Sequence, residues 1–248
     1  MQKFSIIILA AGHGKRMQSD LPKVLVPFKG KPMIRHLLEA VADSGLCELP
    51  TIVVGKMAET VMDALGTGYE YVFQQEQLGT GHAVMAAEKN LRGKSDNVLV
   101  LYGDQPTVTR KMIENLARTH VEQDCVLTMG TVTLPDFEDW RDHFKLFSRI
   151  IRDEKGDILR SVEFKDATET EKEILEVNPA FFCFKSAWLW NHLHEIRNEN
   201  TQKEYYLTDL IKAATDEGER IASFQVEPKD ALGINTKEHL ELLEKVMD

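Results

Sequence analysis

The stretch IIILAAGHGKRMQSDLPKVL, Ile6 to Leu25, decides the fold. Its first four residues, Ile6 to Leu9, are a continuous run of β-branched and aliphatic side chains, the pattern of a strand buried on both faces of a parallel sheet. Open α/β sheets bind ligands beyond the carboxyl ends of their strands, so function is expected where this strand stops. There the chain reads Ala10, Ala11, Gly12, His13, Gly14, Lys15, Arg16, and Pro22 and Lys23 follow shortly. Gly12 and Gly14 let the backbone turn tightly and approach a ligand, while backbone N–H groups, Lys15 and Arg16 offer donors and positive charge to phosphate oxygens. Glycine-rich turns after strands also occur with no phosphate to hold. Two better known phosphate loops do not fit: Met17 stands where the dinucleotide fingerprint needs glycine or alanine, and the NTPase loop needs four residues before its Gly-Lys pair.

Against this local positive charge the chain as a whole is acidic. Its 248 residues carry 30 Lys and Arg against 40 Asp and Glu, a formal charge of −10. That balance argues against nucleic-acid or anionic-membrane binding, which rely on basic surface, and leaves an anionic small molecule as the partner of the first loop. The length and the 43% hydrophobic content suit one substantial α/β core, and no linker-like tract divides it. Cys47, Cys125 and Cys183 are too few and too far apart for a disulfide framework or a zinc site. The apolar amino terminus is too short for a membrane span and runs into the glycine loop, so a cytoplasmic protein is expected.

Strand-like and helix-like segments then alternate, which predicts a doubly wound sheet. Met33 to Val41 has helical spacing, Thr51 to Val54 reads as a strand, Met57 to Leu65 as a helix, Tyr69 to Gln74 as a strand, and a helix begins near Thr80. Val98 to Tyr102 is a fourth strand, ending in Gly103 and Asp104. A helix follows around Met112 to Leu116, then a strand from Val126 to Val132. Pro135 to His143 has no clear period and reads as a loop or lid. Phe147 to Arg152 and Ile158 to Phe164 form a hairpin; a strand at Phe181 to Phe184, helices near Ala187 to Ile196 and Leu207 to Ala214, a strand at Ile221 to Val226 and a helix from Thr236 to Met247 complete the chain. No short apolar repeat of the β-helix type occurs.

Two further segments carry chemistry. In Gln74 to Ala83, glycines and amides sit between a strand and a helix: Gly79 and Gly81 permit close backbone approach, Thr80 is a good N-cap, and a Gln side chain suits the imide edge of a pyrimidine. Asp104, at the end of the fourth strand, is placed to hold Mg²⁺, and Asn235 could supply a neutral oxygen beside it. Read alone, Asp104 could instead cap a helix and Asn235 the last helix. The eight histidines show no ligand or triad spacing and read as mostly surface residues, and no covalent nucleophile stands out.

Taken in order, LAAGHGKRM with Pro22-Lys23, QQEQLGTGHA, Tyr102 to Asp104, EFKDAT at Glu163 to Thr168, EYYLTD at Glu204 to Asp209 and GIN at Gly233 to Asn235 resemble the sugar-1-phosphate nucleotidyltransferases. They are most similar to the uridylyltransferase domain of the bacterial bifunctional N-acetylglucosamine-1-phosphate enzymes. The resemblance implies an α/β fold with a Rossmann-like, doubly wound mixed sheet and a smaller sugar-binding hairpin and lid region. A single nucleotidyltransferase domain would span 1–248, with 1–133 the nucleotide-binding part, 134–235 mainly the sugar-binding part and 236–248 a C-terminal helix. It further implies UTP and a sugar 1-phosphate as substrates and Mg²⁺ as cofactor. Leu9, Ala10, Ala11, Gly12 and Gly14 would meet the nucleotide, with Arg16 and Lys23 on its phosphates and Lys15 adding charge at the leaving pyrophosphate. Gln74, Gly79 and Thr80 would hold uracil and ribose, Gly103 would stand beside them, and Asp104 and Asn235 would bind the metal. Glu163, Asn178, Tyr206 and Thr208 would hold the sugar phosphate, and Arg16, Lys23 and Asp104 would carry catalysis.

The chain departs from the family at Lys15, where Thr or Ser is usual, at Phe147 to Ile150 in place of Tyr-Gly-Arg-Ile, at Asn178-Pro179-Ala180 in place of Asn-Thr-Gly, and in extra residues around Trp140 and His143. The second and third departures fall in the sugar pocket, so the acceptor sugar stays open, as does transfer of a cytidylyl group. An inactive nucleotide-sugar-binding module would be expected to have lost Lys23, Asp104 or Asn235, and all are present. With no β-helix pattern, acetyl transfer is not expected.

Overall fold

The computed structural model describes residues 2–12, 14, 17 and 19–247. In chain order its elements begin with β1 (Phe4–Ala10), β2 (Pro27–Phe28), β3 (Lys31–Pro32), α1 (Met33–Ser44), β4 (Thr51–Val54), α2 (Ala58–Leu65) and β5 (Glu70–Phe73). There follow α3 (Thr80–Leu91), β6 (Asn97–Tyr102), α4 (Arg110–Gln123), β7 (Leu127–Thr133), β8 (Ser148–Arg152), β9 (Ile158–Val162) and α5 (Glu169–Lys172). The chain ends with β10 (Glu176–Asn178), β11 (Phe182–Lys185), α6 (Ser186–His192), α7 (Asp209–Asp216), β12 (Ile221–Gln225) and α8 (Lys237–Val246).

Nearly all strands join one mixed sheet in the order β5-β4-β1-β6-β11-β7-β10-β8-β9, with β12 on β7. The first four are parallel, Ile7 to Ala10 of β1 standing beside Thr51 to Val54 of β4 on one side and Phe4 to Leu9 beside Asn97 to Tyr102 of β6 on the other. Such strands are covered on both faces, which is why they read as unbroken apolar runs. Ile6 and Ile8 face the core under α1, α2 and α4, whereas Ile7, Val98 and Val100 face the one under α3, α6 and α7. Each fully buried Ile or Leu contributes about 1.5–3 kcal/mol. The expected doubly wound mixed sheet is therefore what the chain forms.

β11 enters antiparallel between β6 and β7. It and β10 lie along the same edge of β7, Val177 opposite Val132 and Phe182 opposite Met129, so the pair is one strand interrupted at Pro179-Ala180. Pro179 has no N–H for the ladder and Ala180 takes a φ of 67°, which bends the chain there. The predicted hairpin is β8 and β9, closed by a turn with Gly156 at φ 88°.

Three local expectations change. The Pro135 to His143 segment does not stay a loop: Asp139–Leu146 is a 3-10 helix with Phe144 fully buried and the His143 ring against His239 of α8, centroids 4.2 Å apart. Its apolar side is defined by α8 and by the main core, much of which is distant in sequence, so no local period revealed it. Nor are the described histidines mostly exposed: His120 and His143 are buried, His36, His82, His192 and His239 are half-buried, and of the seven only His194 is exposed. The last helix is capped by Thr236, whose side chain accepts from His239 N, and not by Asn235.

His120 sits 1% exposed between Thr128 Oγ1, 2.9 Å from Nδ1, and Asn97 Oδ1, 3.1 Å from Nε2. Burial, and then the charge of Lys185, push its pKa down to about 4. An unfolded chain takes up that proton near pH ~6.5 and the folded one does not, so acid favours unfolding: stability is full above about pH 6.5 and is lost as pH falls toward about 4. Urea unfolding is expected to show the His120→Gln protein losing about 2 kcal/mol less than the wild type between about pH 7 and about pH 5. Equal losses in both would contradict this assignment.

Candidate active site

Beyond the carboxyl ends of β1, β5 and β6 lies a cavity of about 200 Å³ lined by Leu9, Ala11, Gly12, Lys23, Gln74, Gly79, Thr80 and Asp104 among others. All of these were singled out in the sequence. Lys15 and Arg16 lie outside the described residues, as does His13.

Lys23 is the hinge of this wall. Pro22 leads into a 3-10 turn, Lys23–Leu25, that buries Val24 and Leu25 and leaves Lys23 only 9% exposed. Its ammonium pairs with Asp104 Oδ2 and donates to Asn235 Oδ1 at 2.6 Å. The ends of β6 and of the segment before α8 are thus drawn to one cation, 81 and 212 residues from it in sequence. Asp104 is no helix cap, because Thr109 caps α4. Ile234 N donates to Asp104 O at 2.9 Å, which holds the Gly233-Ile234-Asn235 segment beside the β6 end. Gly14, at φ 59°, packs on Lys23: a Cβ there would lie 2.7 Å from Lys23 Cβ, so only glycine lets the first loop close over the lysine. Gly103 N donates to Leu9 O at 3.0 Å and keeps the two strand ends together, while Ala10 is buried behind them.

The opposite wall is the turn before α3. Gly79, not Thr80, is the N-cap, at φ 106° and ψ 177°. This frees the Thr80 hydroxyl to accept from Leu207 N at 3.0 Å and to bond the Tyr102 phenol. Tyr205 N donates to Leu78 O at 2.7 Å, and Gly81 N to Tyr205 O at 2.8 Å. The 74–81 turn and the 204–208 segment are consequently zipped together by their backbones. Burial raises the pKa of Tyr102 far above its ordinary value, so the phenol stays neutral.

The predicted sugar-side residues gather beyond that zipper. Glu163 accepts from Thr208 Oγ1 at 3.1 Å and from the Ser148 hydroxyl, and its pKa is raised by burial more than those donors lower it. Asp209 is pushed up to about 6 by burial and by Glu163 and Asp166. The Tyr206 hydroxyl accepts from Gln202 at 2.9 Å, and burial pushes its pKa up to about 12. Asn178 is turned into the wall: Oδ1 accepts from Ala180 N at 2.8 Å and Nδ2 donates to Ser161 Oγ at 3.1 Å, so its side chain shapes the bend at Pro179.

Val24, Gln77, Ala83, Tyr102 and Glu204 also line the cavity and were not singled out for it. Gln77 and Tyr102 stand inside motifs already quoted, and an alternation of outward-facing polar groups there would have been the signal. Glu204 also stands inside a quoted motif, but nothing local ties it to this cavity, and the Tyr205 zipper brings it there.

A sequence model of the MobA-like NTP transferase domain matches residues 6–201. Bifunctional protein GlmU of Enterococcus faecalis is 41% identical over the whole of this chain and 52% of its own length; that of Brevibacillus brevis is 38% identical over the same shares. The chain spans about half the length of these relatives. A crystal structure of UDP-glucose pyrophosphorylase complexed with UDP-glucose superposes over 100% of this chain and 98% of the other with a TM-score of 0.77, at 18% identity, which speaks for the fold. Among the described residues no helix is long and apolar enough to cross a membrane. The resemblance read from the ordered motifs is borne out over nearly the full chain, and with it the sheet and its loops: the chain belongs to the MobA-like NTP transferase domain family, whose members are nucleotidyltransferases.

Proposed function

We propose that the chain transfers a uridylyl group from UTP to a sugar 1-phosphate, N-acetylglucosamine 1-phosphate being the favoured acceptor, with Mg²⁺ as cofactor. The observation that carries this reading is the meeting of Lys23 and Asp104, backed by Asn235, in the wall of a cavity whose other side is the Gln74 to Thr80 turn. A cation-binding corner and a base-sized recess with amide and backbone groups are what a nucleoside triphosphate requires.

The donor set fits Mg²⁺. Asp104 and Asn235 present hard oxygen atoms to one point, and a positive ammonium already occupies it. Among the described residues no group of three or more His, Cys, Asp or Glu side chains assembles for a metal, so phosphate oxygens and water would complete the shell. When bound there, Mg²⁺ would offset charge on the phosphates. The chain's own residues supply the rest. Lys23 is positioned to neutralise phosphate charge. Glu163, held by Thr208 and Ser148, would accept from hydroxyls of the acceptor sugar. No general base is needed, because a phosphate monoester with a second pKa of about 6 is already ionised at neutral pH; alignment and charge neutralisation carry the rate. The backbone zipper at Leu78, Gly81 and Tyr205 holds the two walls together and would fix the two substrates relative to each other.

Pyrophosphate release measured with each NTP against a panel of sugar phosphates, with and without Mg²⁺, tests the reading. UTP with N-acetylglucosamine 1-phosphate is expected to be the fastest pair and to need the metal. Because Ser148 and the Pro179-Ala180 bend shape the acceptor wall, a different sugar 1-phosphate in first place would correct the acceptor alone. Release with no pair, or from CTP in preference to UTP, would overturn the proposal.

A further inference from the structure

The amide of Gln74 reaches the cavity with both of its hydrogens already used. Nε2 lies 3.2 Å from Gly79 O and 3.1 Å from Nδ1 of His82. A carbonyl oxygen only accepts, so the nitrogen of the amide must be the atom that faces Gly79. Its second hydrogen then goes to the ring nitrogen, which makes Nδ1 an acceptor and leaves the proton of a neutral ring on Nε2. Gln74 is 3% exposed, and what it has left for a ligand is Oε1, an acceptor. His82 itself does not line the cavity. It is in the first turn of α3, with its ring beside Tyr205, centroids 6.2 Å apart.

We propose that His82 is a positioning residue for base choice: it holds the Gln74 amide so that the oxygen faces the base, and the cavity then takes a base that donates from its ring N3. Uracil carries an N–H there. Cytosine carries a lone pair, which Oε1 repels, and turning the amide over would set Oε1 against Gly79 O and oblige the His82 ring to move its proton from Nε2 to Nδ1. Without His82 that reversal meets Gly79 O alone and no ring proton has to move, so cytosine is rejected less strongly. The inference deepens the uridylyl reading and rests on it.

Calorimetric binding of UTP and of CTP to the wild type, His82→Leu and His82→Asn tests it, with kcat measured at saturating UTP. The UTP-to-CTP preference is expected to fall about tenfold in His82→Leu, the scale of one lost hydrogen bond, with kcat within roughly twofold of the wild type. In His82→Asn, whose side-chain oxygen reaches the place of Nδ1, most of the preference should return. A preference unchanged in a folded His82→Leu protein overturns the proposal, as does an equal loss in both variants. Should the leucine variant not fold, nitrogen NMR of the wild-type ring decides: Nε2 protonated and Nδ1 bare supports the role, and the opposite tautomer removes it. A wild type that binds UTP and CTP alike would sink the preference for UTP itself. UTP preference with an indifferent His82 would sink this inference alone.

Discussion

Asp104→Asn is expected to lower turnover about a thousandfold while the protein stays folded. The carboxylate shares a largely buried corner with Lys23 and Asn235, and Asn in its place keeps the shape but removes the charge that would hold a hard cation on the phosphates. Losing one preorganised electrostatic contact of this kind costs about 10²–10³ in rate. The structural cost is about 3 kcal/mol, because the pair is largely buried and the Lys23 ammonium keeps only Asn235 Oδ1 and the new amide oxygen as partners. Steady-state kinetics at saturating substrates, with circular dichroism and thermal unfolding as the check on fold, measures both. Lys23→Met should bring a comparable loss by leaving phosphate charge uncompensated. It also empties the place between Asp104 and Asn235, so Mn²⁺ alone is expected to bind the variant more tightly than the wild type by spin-resonance titration. Near-normal turnover in either variant would show that this corner is not where the chemistry is carried.

Gly79→Ala is expected to be the most damaging small substitution in the chain. The residue adopts φ 106° and ψ 177°, a region open essentially to glycine, and a Cβ would lie 2.6 Å from Tyr205 O and 2.9 Å from Tyr205 N. Neither atom can yield without breaking the hydrogen bonds between Tyr205 and Leu78 and Gly81. Strain and lost bonds together come to about 3 kcal/mol, a fall in Tm of about 6–12 °C for a chain of this size. Because the zipper joins the base side to the acceptor side, KM should rise for both substrates at once. Gly68→Ala, where an added Cβ meets nothing within 4 Å, serves as the neutral control. A rise in KM for UTP alone would show that the two sides are independent.

Most of the sheet was readable from local pattern. Ile6 to Leu9, Thr51 to Val54 and Val98 to Tyr102 are unbroken apolar runs because helices cover both of their faces, and that burial writes itself into sequence. Loops at the ends of those runs could be recognised by their glycines and polar groups, which is why Lys23, Gln74, Gly79 and Asp104 could be named before the fold was known. Other roles were assigned to the wrong neighbour. Thr80 and Asn235 both look like helix caps by residue type, yet Gly79 and Thr236 hold those positions. Both side chains are instead drawn away by partners distant in sequence, Leu207 N at 3.0 Å and Lys23 Nζ at 2.6 Å. The 3-10 helix at Asp139–Leu146 escaped for a similar reason, since the surface that makes its aromatic residues an apolar face belongs to α8 and the main core.

Residue type and spacing therefore settled the strands and their buried faces, because burial period is a property of short segments. The antiparallel entry of β11, the bend at Pro179-Ala180, the union of Lys23 with Asp104 and Asn235, and the zipper that brings Glu204 to the cavity were decided by packing. Each depends on which distant backbone group or side chain satisfies a given hydrogen bond, and a linear chain does not carry that information until the sheet has brought its ends together.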